Sequence, residues 1–178
     1  NSDNCYTVVV NYGTLGTTEL NGFSITNAFG TGPGGMENVN VNSIISNCRF
    51  YTNNTALHGA AMVVINSNTT IQYCSFTGNT ALQNAGAIYT GAGTLIINGC
   101  EFSNNSANAD GGAIYNSTGS VLTVKNSRFQ SNTAVTEGGG ISTVASSSLN
   151  LYRSDFIGNS SINGGGVHIL EGSNPCTI

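Results

Sequence analysis

The amino-acid sequence predicts an all-β fold, a right-handed parallel β-helix of about six coils with three strands per coil, and three observations carry that expectation. Phe23, Phe50, Phe76, Phe102, Phe129 and Phe156 recur at intervals of 26 or 27 residues, and the text around them repeats in register. Apolar residues within each repeat are spaced by two, as in Leu95 and Ile97, Leu122 and Val124, and Leu149 and Leu151, which is the period of a strand. No segment shows the 3.6-residue period of a helix. Short strands that return at a fixed interval form a solenoid whose equivalent residues stack about 4.8 Å apart along the axis. The right hand follows from the general preference of parallel crossovers.

The elements follow in order within each repeat. Ile45, Ile71, Ile97, Val124 and Leu151, five residues before the Phe, belong to a first strand. Cys48, Cys74, Cys100, Ser127 and Ser154 stand two residues before the Phe, and their inward parity is broken relative to the preceding apolar pair, so the chain must bend between the two. Phe50, Phe76, Phe102, Phe129 and Phe156 then point inward from a second strand. Asn53, Asn79, Asn105, Asn132 and Asn159 follow three residues later at another bend. Asn suits that place because its amide bonds local backbone, tolerates left-handed conformations and pairs with equivalent Asn residues along a stack. A run of small residues, rich in Gly for tight bends and close coil packing, leads to Met62, Ile88, Ile114, Ile141 and Val167 in a third strand. The chain reads as one β-helix domain over 1–178, with an irregular first coil at 1–36, regular repeats at 37–170 and the start of an incomplete last coil at 171–178.

Composition narrows the function. Only 7% of the 178 residues are charged, four basic against eight acidic, for a formal net charge of −4. That leaves no basic patch to hold a phosphate backbone, which argues against nucleic acid, and little repulsion to oppose self-association. No run of about 18 apolar residues predicts a membrane-spanning helix. The sequence opens "NSDNCYTVVV" with neither an initiator Met nor a basic and apolar leader, so a secreted, extracellular or cell-surface protein whose signal has been removed is expected. Its five cysteines are odd in number, which in such a setting points to a free thiol or an intermolecular bridge.

The phrases "FTGNTA", "FSNNSA" and "FQSNTA", each followed by "AGAI", "GGAI" or "GGGI", resemble the FxxN and GGA(I/L/V) repeats of polymorphic outer-membrane protein passengers. The opening "TELNGFSITNAFGTGPGGM" resembles the start of secreted right-handed β-helix proteins of the pectate-lyase-like superfamily. The resemblance spans roughly residues 17 to 170 and departs at Phe23, which lacks the FxxN pattern. It implies the β-helix fold, and for function it implies adhesins, surface passengers and polysaccharide enzymes alike.

Few residues offer chemistry. Asp110 and Glu137, each eight residues after its Phe, share a column with His58 and Asn84. Two acids about 5 Å apart are the candidate Ca²⁺ or proton-sharing pair, and their alternative is two solvated acids at a bend. Arg49, Ser75, Glu101, Arg128 and Asp155, one residue before the Phe, read as an exposed cross-strand ion-pair ladder. His58 and His168 lie some four coils apart, roughly 20 Å, too far to share a metal. Cys48, Cys74 and Cys100 read as an inward ladder of small hydrophobes with poor disulfide geometry. Cys5 and Cys176 occupy different columns near opposite ends of the solenoid, so a bond between them must be intermolecular. No Ser-His-Asp arrangement or phosphate-binding loop is visible. The sequons at Asn53, Asn68, Asn104, Asn116 and Asn159 matter only in a eukaryotic source.

The sequence therefore predicts a structural protein without catalytic residues, cofactor or metal, either a subunit of an end-to-end homopolymer or a surface-display segment. The alternatives are an adhesin that binds glycans or a host surface and, third, a polysaccharide lyase or hydrolase.

Overall fold

A computed structural model describes residues 6–13, 16–170 and 172–178. Among these residues every strand pairing is parallel, and each joins a segment to its counterpart one repeat away. The Phe-bearing strands Ser24–Thr26, Arg49–Tyr51, Ser75–Thr77, Glu101–Ser103, Arg128–Gln130 and Asp155–Ile157 form a six-stranded sheet, one strand per coil. A second sheet of five strands collects the two-residue segments Phe29–Gly30, Asn54–Thr55, Thr80–Ala81, Ser106–Ala107 and Thr133–Ala134. The third sheet has eleven strands and holds both the segment after the small-residue run and the Leu-x-Ile segment. In two coils these merge into single strands, Met62–Gln72 and Ile88–Asn98. The first and third strands expected from the sequence thus share one face, and the remaining face is built from the short strand after the Asn bend.

Each coil turns through four columns of left-handed residues, one of them, Asn40, Asn66, Ala92, Gly119 and Ser146, lying within the largest sheet. Of the others, one stands three residues before the Phe (Asn47, Tyr73, Gly99, Asn126, Arg153) and one two residues after it (Thr52, Gly78, Asn104, Ser131, Gly158), all with φ between 43° and 64°. The last, Gly59, Ala85, Gly111, Gly138 and Gly164, opens the approach to the small-residue strand. The buried Asn column is not among them. The residue just before each of these Asn takes the left-handed conformation, and the Asn contributes its side chain instead.

The inward columns make one continuous core. Phe50, Phe76, Phe102 and Phe129 are fully buried, and their rings, with partly buried Phe156, stack at centroid separations of 4.9, 4.7, 4.6 and 4.7 Å within 7° of parallel. Leu20 continues the Ile45 to Leu151 column, and Val9 and Met36 continue the Met62 to Val167 column. The first coil departs from the repeat. Phe23 is 57% exposed, and Ile25 pairs with Phe50 and takes the aromatic place. Ile25 and Phe50 are 25 residues apart, so the first coil is shorter than the others and its Phe falls outside the stack.

Glycine is required where coils approach most closely. A Cβ on Gly112 would lie 2.2 Å from the Gly139 carbonyl oxygen and 2.6 Å from the backbone of Thr133. Asn116 is an interior polar group paired inside the fold: it donates to the Ser148 carbonyl at 3.0 Å and accepts from the Ser120 hydroxyl at 2.6 Å.

Candidate functional site

Three side-chain columns hold the groups capable of chemistry. In the first, each buried Asn serves four partners. Asn79 Nδ2 donates to Asn105 Oδ1 in the next coil at 2.9 Å and to the Phe50 carbonyl in the previous one at 3.0 Å, while its Oδ1 accepts the backbone N–H and the amide of Asn53 at 3.1 and 3.0 Å. The same pattern runs through Asn105 and Asn132 to Asn159. In Asn79, Asn105 and Asn132 all donor and acceptor capacity of the amide is used inside the fold.

The second column is Cys48, Cys74, Cys100, Ser127 and Ser154. Here the side chain accepts the backbone N–H of its counterpart one coil earlier: Cys48 N–H reaches Cys74 Sγ at 3.4 Å, Cys74 N–H reaches Cys100 Sγ at 3.4 Å, Cys100 N–H reaches Ser127 Oγ at 3.1 Å and Ser127 N–H reaches Ser154 Oγ at 3.2 Å. Each group also donates to the carbonyl two residues before it, as Cys74 does to Gln72 at 3.3 Å and Ser127 to Lys125 at 2.7 Å. The thiols are therefore buried and free but polar in their role, which is why Ser replaces Cys along the column. The reading as small hydrophobes missed these bonds; the alternation of Cys with Ser was the available signal.

The third column carries His58, Asn84, Asp110, Glu137 and Asn163 at the bend before the small-residue strand. It starts as a ladder: Asn84 N–H donates to His58 Nδ1 and Asp110 N–H donates to Asn84 Oδ1, both at 3.1 Å. Partial burial holds His58 below the usual histidine range, and its ring leans on Tyr89 at 5.0 Å between centroids. The two candidate acids then take different partners. Asp110 accepts the Thr136 hydroxyl, and Glu137 Oε2 lies 3.1 Å from His168 Nδ1. That last contact is off the line of a straight hydrogen bond, so Nδ1 is a close neighbour of Glu137 without an in-line acceptor. Tyr115, stacked on Tyr89 at 5.5 Å, has its phenol raised by burial and by the nearby charges of Asp110 and Glu137.

The fold also places Ser142 beside His168 in register, bringing Ser, His and Glu together where the sequence showed no such arrangement. Ser142 is wholly buried and its hydroxyl has no hydrogen-bond partner, so it presents no accessible nucleophile. Among the described residues no three His, Cys, Asp or Glu side chains converge on one point as a metal site.

The exposed column Arg49, Ser75, Glu101, Arg128 and Asp155 has the expected register. It is a correction in its chemistry, because among the described residues the only contact within 4.0 Å between an acidic and a basic side chain joins Glu137 and His168, outside this column. These exposed arginines and carboxylates remain hydrated, since a surface pair in water gains little over its entropy cost. Cys5 lies outside the described residues. Cys176 is free and partly buried against the core; its Sγ accepts the Leu149 N–H at 3.4 Å and donates to the Asn174 carbonyl at 3.3 Å, in the strand path of a further coil.

Comparison with known proteins gives one match: the model of the right handed beta helix region covers residues 2–156. No curated protein and no solved structure matched the chain.

Proposed function

The chain belongs to the right handed β-helix family, and on that premise we propose that it is an extracellular structural protein, a subunit that stacks end to end with copies of itself or a segment that displays a surface. The observation that carries this reading is the use of its polar columns. The Asn amides, the Cys and Ser groups and the His58 to Asp110 bend residues bond the coil above or below, so the groups from which a catalyst would be built hold coils together. Exposed apolar side chains on the first coil, Val8, Val10, Tyr12, Phe23 and Phe29, supply a surface that a second copy would cover. A second reading, an adhesin or glycan-binding module, is favoured by the shallow apolar depression between Pro33, Leu57, His58, Val63 and Tyr89.

Sedimentation velocity over a concentration series, run beside binding and cleavage assays on a panel of acidic and neutral polysaccharides, tests the proposal. Concentration-dependent assembly without cleavage supports it. A monomer at every concentration that binds one glycan supports the second reading, and cleavage overturns both.

A further inference from the structure

Three thiols in one column, one per coil, are more than the capping role requires, because Ser127 and Ser154 perform it as well. Cys48, Cys74 and Cys100 precede Arg49, Ser75 and Glu101, which pair directly across adjacent strands, so the sulfurs follow one another at the strand spacing. That spacing is about 4.7–4.9 Å. A metal–thiolate bond is about 2.3 Å, so a linear sulfur–metal–sulfur unit spans roughly 4.6 Å and fits between neighbouring coils with little displacement. The disposition suits two-coordinate binding along the axis and not the tetrahedral cage of a zinc site, consistent with the lack of a three-ligand cluster among the described residues.

Backbone donors point at the column. Each sulfur is the target of a backbone N–H, from Phe23 to Cys48 at 3.5 Å, from Cys48 to Cys74 at 3.4 Å and from Cys74 to Cys100 at 3.4 Å, and such donors stabilise a negative sulfur. An open groove of about 480 Å³ runs along the left-handed bend beside the column, lined by Gly22, Asn47, Cys48, Tyr73, Cys74 and Gly99 among others. It gives a small ion a path to Cys48 and Cys74, which are otherwise covered.

We propose that the Cys48, Cys74 and Cys100 column is a binding rail for a soft monovalent cation, copper(I) foremost, held linearly between the sulfurs of adjacent coils with Cys74 common to both possible pairs. Thiolate sulfur selects such ions over hard cations. Binding is proton exchange without redox: two thiols release two protons to water, and each sulfur gives an electron pair to the copper(I), leaving a bis-thiolate complex of net charge −1. The bonds that the two ligating thiols make to the carbonyls two residues before them, Gln72 for Cys74 and Ser46 or Asn98 for its partner, are given up as those protons leave, so affinity rises with pH.

The test is anaerobic titration with copper(I) against a chromophoric copper(I) chelator, in a background with Cys5→Ser and Cys176→Ser so that only the column is read. Cys74→Ser leaves Cys48 and Cys100 two coils apart, roughly 9.6 Å, too far for one linear ion; Ser127 shows that Ser keeps the column's hydrogen bonds, and circular dichroism checks the fold. The expected result is at least 100-fold weaker binding in Cys74→Ser, with one ion retained by Cys48→Ser and by Cys100→Ser, and an X-ray absorption signature of two sulfur ligands. Binding by Cys74→Ser within threefold of the background protein, loss of binding in both single variants that keep Cys74, or a background protein no tighter than the variant with all three replaced, overturns the proposal.

Discussion

Asn79 gives both its backbone N–H and its side-chain amide to a single oxygen, Oδ1 of Asn105, at 3.1 and 2.9 Å. One side chain thereby fixes the register of two coils, and Asn105 repeats the arrangement toward Asn132 at 3.0 and 2.9 Å. The ladder is buried, so each missing bond leaves a polar group away from water.

Replacing Asn105 should accordingly be costly. Asn105→Ala leaves the N–H and amide of Asn79, the Phe76 carbonyl and Asn132 without their partner, and a loss of roughly 2–4 kcal/mol is expected. Chemical denaturation of the two proteins measures it. A change below about 0.5 kcal/mol would show that the ladder does not support the stack.

Gly112 and Gly78 separate close approach from backbone conformation. An added Cβ at Gly112 meets the backbone of Gly139 and Thr133, whereas Gly78 has φ +62° and nothing within 4 Å. Gly78→Ala should cost about 1–2 kcal/mol, the strain of a left-handed residue. Gly112→Ala should cost about 3 kcal/mol or more, because backbone must move. Thermal melting of both variants decides the order, and equal losses would refute the packing argument.

Acid should destabilise the fold partly through His58. Burial lowers its folded-state value below the ordinary value of about 6.5, so the unfolded chain binds the proton more readily. Its contribution is complete above about pH 6.5 and is lost as pH falls below that through the folded-state value. The melting temperature of wild type relative to His58→Asn should therefore decline between about pH 7.5 and 5. A constant difference would mean that burial at the bend does not disfavour the charged ring.

The acids at the same bend are expected to be dispensable for chemistry. Asp110 bonds Thr136 and Glu137 lies against His168, and the two acids do not bond each other; both are partly exposed. The double variant Asp110→Ala with Glu137→Ala should shift stability by no more than about 1 kcal/mol and leave any polysaccharide cleavage by the preparation unchanged. Loss of genuine cleavage in that variant would establish an active site there.

How much of this was legible depended on repetition. The Phe and Asn columns could be read because successive coils write the same letter at the same place, and the Cys to Phe parity break correctly located a bend that the structure places at Asn47, Tyr73 and Gly99. Ile25 was hidden because the first coil changes both the letter and the spacing. The two-residue strands such as Thr80–Ala81 are too short to show a period. Partner choice at Asp110 and Glu137 was invisible for a different reason: a column tells which residues are neighbours, while exposed side chains choose among neighbours by local geometry, and His168 reaches Glu137 from a separate strand. The polar role of the Cys column lay between these cases, since Ser127 and Ser154 already occupied it.

The central claim, that this β-helix is a self-stacking structural unit, is tested most directly by electron microscopy of the purified protein at high and low concentration. Six coils at about 4.8 Å make one subunit roughly 30 Å long. The account predicts unbranched rods of uniform width and of lengths well beyond that, which shorten on dilution. Discrete particles of single-subunit length at every concentration would contradict it.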